Sequence, residues 1–261
     1  MRSSTISRPR LSSYDRDLRW LPLILLLACS RAQPAPGATE PPPATTPAVP
    51  PAAEPPVPQV GPPGYYMGRR MAEPMSYLGA DWLERPNRDE EQKPEHVLDV
   101  LKVHGGQTVA DVGCGSGYFT SRLSKRVGPS GRVYATDLQQ EMLDLLARRT
   151  KQEHLDNVTP VLATARDAKL PDGKLDVILL VDVYHELPDP PLTLAQLEKA
   201  LAPNGVLALV EYRAEDPKVA IKPEHKTTLE QLKKELSANR WQFLDSEESL
   251  PQQRIVTFRP R

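Results

Sequence analysis

The chain has 261 residues, room for one α/β domain with appendages. Lysine and arginine (33) nearly balance aspartate and glutamate (34), which removes the electrostatic ground for a nucleic-acid partner. The two cysteines, Cys29 and Cys114, make no disulfide framework, and neither has the CxxC or Cys/His spacing of a zinc site, so no metal is expected.

Residues 1–20 carry Arg2, Arg8, Arg10, Arg16 and Arg19, and the apolar run Leu21 to Ala28 that follows is too short to cross a bilayer as a helix. A basic stretch, a short apolar run and a small residue describe a secretory signal over residues 1–29. Leu26-Leu27-Ala28-Cys29 resembles a bacterial lipobox. That resemblance implies a lipid anchor at Cys29 and a place in the bacterial cell envelope. An internal start at Met67 or Met71 would instead leave the protein in the cytoplasm. Residues 30–64 are rich in proline, alanine and threonine; they read as a disordered, extended spacer, able to reach on the order of 90 Å.

Residues 65–93 hold Tyr65, Tyr66, Met67, Met75, Tyr77, Trp82 and Arg85, an aromatic arm that either packs on the domain or closes over a ligand as a lid. The folded domain is expected over residues 94–261. Val97, Leu98 and Leu101 share one face of a helix over residues 94–101, which Gly105-Gly106 stops. Further helices are expected at 119–127, 140–154, 192–201 and 228–239. Strands are expected at 108–112, 132–136, 158–162, 175–181, 205–210, 241–244 and 254–258. The near-continuous apolar run Leu175 to Val181, interrupted only by Asp176, suits a central parallel strand covered on both faces. Strands alternating with helices predict a doubly wound α/β sheet.

Between the first strand and the next helix lies a glycine turn containing Asp111, Gly113, Gly115 and Gly117. Glycines there let the chain turn sharply and let a ligand approach its backbone, and the helix that follows offers free N–H groups. Tyr118 breaks the Gly-x-Gly-x-x-Gly spacing of a dinucleotide site, and Asp111 suits a cationic ligand better than a pyrophosphate. Asp137 ends the second strand, placed to accept hydrogen bonds from ribose hydroxyls. Asp167 follows the third strand, where it could accept from an adenine amino group. Asp182, Tyr184, His185 and Glu186 follow the fourth. All four segments fall at C-terminal strand ends, where open α/β sheets bind ligands.

Taken together, these segments resemble class I S-adenosylmethionine (SAM)-dependent methyltransferases of the small-molecule type. The resemblance covers about residues 94–261 and implies a Rossmann-like, doubly wound, seven-stranded sheet with an antiparallel last strand. It also implies SAM as cofactor and an unidentified small-molecule acceptor. Carried over, Asp111, Gly113, Gly115 and Gly117 line the methionine part of SAM, Asp137 and Leu138 hold the ribose, and Asp167 and Ala168 the adenine. Asp182 faces the meeting point of donor and acceptor, and Asp182 or His185 takes a proton if the acceptor must lose one. His185 reads equally as a loop residue bonded to backbone, and Cys114 as a small packed residue of the turn. Two other functions fit the same fold: an envelope-tethered binding protein without catalysis, and a nicotinamide-dependent oxidoreductase, which Asp111 and Tyr118 disfavour. An exported domain would also need a supply of SAM outside the cytoplasm.

Overall fold

A computed structural model describes residues 64–261; the expected signal segment, Cys29 and the expected spacer up to residue 63 lie outside the described residues. The arm begins as a hairpin, β1 (Tyr65–Tyr66) and β2 (Arg69–Arg70), and continues through a 3-10 helix at Tyr77–Glu84 into α1 (Arg88–Gln92). Next come α2 (Pro94–Val100), β3 (Thr108–Val112), α3 (Tyr118–Val127), β4 (Arg132–Asp137), α4 (Gln140–Glu153) and β5 (Val158–Leu162). The second half runs β6 (Leu175–Val181), α5 (Pro190–Ala200), β7 (Leu201–Arg213), β8 (Lys226–Thr227), α6 (Leu229–Ala238), β9 (Trp241–Glu247) and β10 (Gln253–Pro260).

The strands order as β5-β4-β3-β6-β7-β10-β9. The pairings among β5, β4, β3, β6 and β7 are parallel, while β10 runs antiparallel to both β7 and β9. The last strand in sequence is therefore the reversed one, as expected, and it is inserted beside β7 rather than added at the edge. β8 adds two residues parallel to the end of β7, an eighth strand too short to show any periodicity.

Side chains of β6 alternate between two cores. Ile178 and Leu180 pack with Leu194 and Leu197 of α5 and Leu232 and Leu236 of α6. Val177 and Leu179 pack with Val97 and Leu98 of α2 and Phe119 and Leu123 of α3. Leu175 and Val177 to Leu180 are thus buried, on one face or the other, with Val181 half-buried at the strand's end, which explains a run that only Asp176 interrupts. Each such side chain contributes about 1.5–3 kcal/mol.

β7 is longer than residues 205–210 because its ends find separate partners. Leu201 pairs with Leu175, and Tyr212 and Arg213 pair with β8 while Tyr212 also faces Gln253 of β10. The chain leaves β3 for β4 and β5, then returns to β6 on the other side of β3. The sheet order reverses between β3 and β6, and loops diverging there open the crevice in which such sheets bind ligands.

Candidate functional site

A cavity of about 1290 Å³ opens over the C-terminal ends of β3, β4 and β6. Its floor is the turn after β3. Gly113 (φ +71°) and Gly117 (φ +86°) are left-handed, and each also lacks space for a side chain. A Cβ on Gly113 would stand 2.5 Å from Val183 Cγ2, and one on Gly117 would meet Leu146. Gly117 caps α3 and lies outside the cavity lining, so its part is to fit the helix to α4; Gly113, Cys114 and Gly115 face the cavity. Cys114 is buried and burial pushes its thiol well above the ordinary range, which leaves it a packed residue of the turn.

Asp137 at the end of β4 braces this turn. Its Oδ2 accepts from Gly115 N at 2.9 Å and its Oδ1 from Gln139 N at 2.9 Å. Burial raises its carboxyl despite these donors. Each oxygen keeps a second lone pair, and the residue lines the cavity. Leu138, 41% exposed, lies beside it. Asp111 sits beneath the turn, where Thr120 Oγ1 donates to its Oδ2 at 2.5 Å. Burial pushes its carboxyl up to about 6 against that hydrogen bond.

The third predicted segment is brought in only in part. Ala168 lines the cavity together with Ala163, Thr164 and Ala165. Asp167 stands outside the lining: it is exposed, and its Oδ1 accepts from Lys169 N at 2.8 Å. Backbone bonds between Thr164 and Asp167 fold the segment back on itself.

Asp182 ends β6 in a left-handed conformation (φ +56°) that aims its carboxylate into the cavity. Gln92 Nε2 donates to Oδ2 at 2.8 Å and Gln253 Nε2 to Oδ1 at 2.6 Å. Burial, then the neighbouring Glu211, pushes its carboxyl up to about 6.

His185 is 1% exposed. Its Nδ1 lies 2.6 Å from Glu211 Oε2 and its Nε2 3.1 Å from His225 Nδ1. Burial lowers its pKa, but the Glu211 carboxylate outweighs that and the net shift is upward. Of the two sequence readings, the side chain is held by a carboxylate and a second histidine, and the backbone carbonyl accepts from Ala72 N at 3.0 Å. Glu211 also accepts from Tyr184 N at 2.9 Å.

The arm covers the cavity, with Met71, Met75, Trp82, Leu83, Arg85 and Arg88 along its lining. Arg69 pairs with the fully buried Glu235 of α6 through two bonds of 2.9 Å, and Glu235 also accepts from Tyr184 Oη at 2.8 Å. Gln139 clips the arm from below, accepting from Tyr77 N at 2.8 Å and donating to Met75 O at 2.8 Å. Arg88, 7% exposed, lies over the ring of Tyr118, donates to Leu83 O at 2.6 Å and feels the charge of both Asp111 and Asp182. Sequence reasoning missed Arg88, Glu211 and His225, which carry no motif and reach the site only through tertiary folding. The one signal was indirect: Glu211 is an acid at the end of an otherwise apolar strand.

A parallel sheet with its crevice at the order reversal, a glycine turn braced by an acid, and further acids at the next strand ends define a nucleoside-cofactor enzyme fold of the methyltransferase type. The chain belongs to the methyltransferase domain family, whose model matches residues 103–255. A demethylmenaquinone methyltransferase of Staphylococcus saprophyticus is 31% identical over 117 residues, 45% of this chain and 49% of that one. An uncharacterised 37.1 kDa protein of a Streptomyces fradiae transposon is 36% identical over 115 residues, 44% of this chain and 33% of that protein. The chain thus spans a third to a half of the length of these curated relatives. The crystal structure of a SAM-dependent methyltransferase from Aquifex aeolicus superposes with a TM-score of 0.68 at 28% identity, covering 71% of this chain and 98% of that one. The [4+2]-cyclase SpnF (TM-score 0.56, 17% identity, 65% and 80% covered) shares the fold alone. The cofactor indicated by family and neighbours is S-adenosylmethionine.

Proposed function

We propose that the domain moves the methyl group of SAM to a small-molecule acceptor held in the same cavity. The observation that carries this reading is the joint placement of Asp137, the glycine turn and Asp182 around one cavity of about 1290 Å³. That volume exceeds the roughly 300–1,000 Å³ of a single-ligand pocket, leaving room for cofactor and acceptor together. The residues fit SAM: Asp137 has free lone pairs for two ribose hydroxyls, and Asp111 places a buried acid where a sulfonium and an ammonium group are favoured. Arg88 is the partner for the amino-acid carboxylate, and Thr164, Ala165 and Ala168 flank the adenine.

When bound, SAM supplies a methyl carbon already activated by its cationic sulfur, so the protein's work is alignment and exclusion of water. Leu83 and Met75 of the arm close the top of the cavity. Asp182 accepts the acceptor's proton; with a carboxyl near 6 it is ionised at pH 7 yet basic enough to hold that proton. The relatives named for demethylmenaquinone point to a small organic acceptor. We further propose that the chain is tethered to the cell envelope through Cys29, which lipid labelling of the native chain and of Cys29→Ser checks.

Calorimetric titration of the full chain with SAM, S-adenosylhomocysteine and NAD tests the assignment. Binding of the first two without NAD is expected. Absence of SAM binding would overturn it and leave a binding protein that keeps the fold.

A further inference from the structure

Two short turns meet at the cavity edge away from the glycine turn. Tyr184–Glu186 follows β6, and Pro223–His225 precedes β8. They bring together His185 Nε2, Glu186 Oε1 and His225 Nδ1. The nitrogens are 3.1 Å apart, and each lies 3.8 Å from the carboxylate oxygen. A point equidistant from all three lies about 2.1 Å from each, within the range of zinc–nitrogen and zinc–carboxylate bonds.

We propose that His185, Glu186 and His225 form a binding site for one divalent transition-metal ion of the zinc class. Two imidazoles and one carboxylate are a ligand set that takes such an ion and leaves coordination positions open. All three residues line the cavity, so the open side faces it.

Two observations besides the ligand triangle support the site. The first is the support behind His185. Glu211, fully buried, lies 2.6 Å from Nδ1 with its other oxygen held by Tyr184 N. A carboxylate behind a ligating imidazole fixes the ring and leaves Nε2 with its lone pair outward, toward the triangle. The second is charge. The acidic groups facing His185 are Glu211, Asp182 and Glu186, an excess of negative charge that a divalent cation offsets. The nearby Arg69 is already engaged by Glu235.

The open position takes an oxygen, from water or from a hydroxyl-bearing acceptor; the acceptor half of that statement rests on the methyl-transfer reading. No sequence spacing announces this site, because His225 is 40 residues from His185 and arrives only with the turn before β8.

The test is titration of the untagged, metal-stripped full chain with Co(II), followed by displacement with Zn(II). One Co(II) per chain is expected, with the visible absorption of a low-coordinate nitrogen/oxygen site that Zn(II) abolishes. His225→Gln and Glu186→Gln, both at partly exposed positions, should each lower affinity at least tenfold. His185→Ala is a weaker probe because its buried ring also supports the fold. Absence of metal uptake by the native chain, or uptake unchanged in both variants, would overturn the proposal. A SAM titration of the metal-free chain separates the two readings. SAM binding without metal uptake sinks only the metal site, whereas metal uptake without SAM binding sinks only the methyltransferase assignment.

Discussion

Asp182→Asn removes a half-buried charge while keeping the outline of the side chain. The carboxyl is raised from 3.8 to about 6, chiefly by burial and then by Glu211. Between those two values the native chain holds a proton that the unfolded chain has released, so stability falls as pH rises through the window. Above pH 6 both states are ionised and the full cost remains, about 3 kcal/mol. Asparagine escapes that cost, and it tolerates the left-handed backbone at this position better than most residues. Its amide also finds a partner: Gln253 Oε1 is buried without a hydrogen bond among the described residues, and a flip of that amide presents it to the new donor. The variant should therefore gain up to about 3 kcal/mol at pH 7, shrinking to nothing near pH 4. Urea denaturation of both proteins at several pH values measures the difference, in which the similarly raised Asp111 cancels. Parallel stability profiles across the window would refute the raised carboxyl. Loss of methyl transfer in the stabilised variant would agree with a proton-accepting role for Asp182.

Further outcomes follow from the turn and its brace. Asp137→Ala removes the ribose acceptor and frees Gly115 N, so SAM affinity should fall on the order of 10–100-fold, one or two charge-assisted hydrogen bonds; unchanged affinity by calorimetry would dismiss the ribose assignment. Gly113→Ala forces a Cβ into Val183 at a left-handed position and should cost about 2–4 kcal/mol. Adding Val183→Ala should recover the packing part and leave the backbone part, which a double-mutant cycle in urea resolves. Arg69→Met strands the buried Glu235 and should cost about 3–5 kcal/mol, with Glu235→Gln in the same chain restoring much of it.

The sheet was legible in the sequence because each strand carries its own signal. Val177 to Val181 is apolar on both faces, and the glycine turn marks where β3 must hand over to α3. Strand ends were less legible. β7 reaches Arg213 only because β10 and β8 lie alongside, and nothing local in Glu211-Tyr212-Arg213 distinguishes a paired end from a loop. At the site, Asp111, Asp137, Gly113 and Gly115 were readable from position along a strand–turn–helix unit. Asp167 was placed by the same logic, yet the fold-back at Thr164 turns it outward. Arg88, Glu211 and His225 were invisible to that logic. Their roles come from approach across the fold, as with Gln92 and Gln253, 90 and 71 residues from the Asp182 carboxylate they hold.

The pair between Arg69 and Glu235 joins residues 166 apart in the chain. During synthesis at roughly 5–20 residues per second, the hairpin leaves the ribosome roughly 8–30 s before the acid that fastens it. For that interval Gln139 can already clip Met75 and Tyr77 over the end of β4, while the hairpin has no anchor in α6. The hairpin is made early and its tether to α6 forms late, so this end of the cavity closes only once α6 has been synthesised.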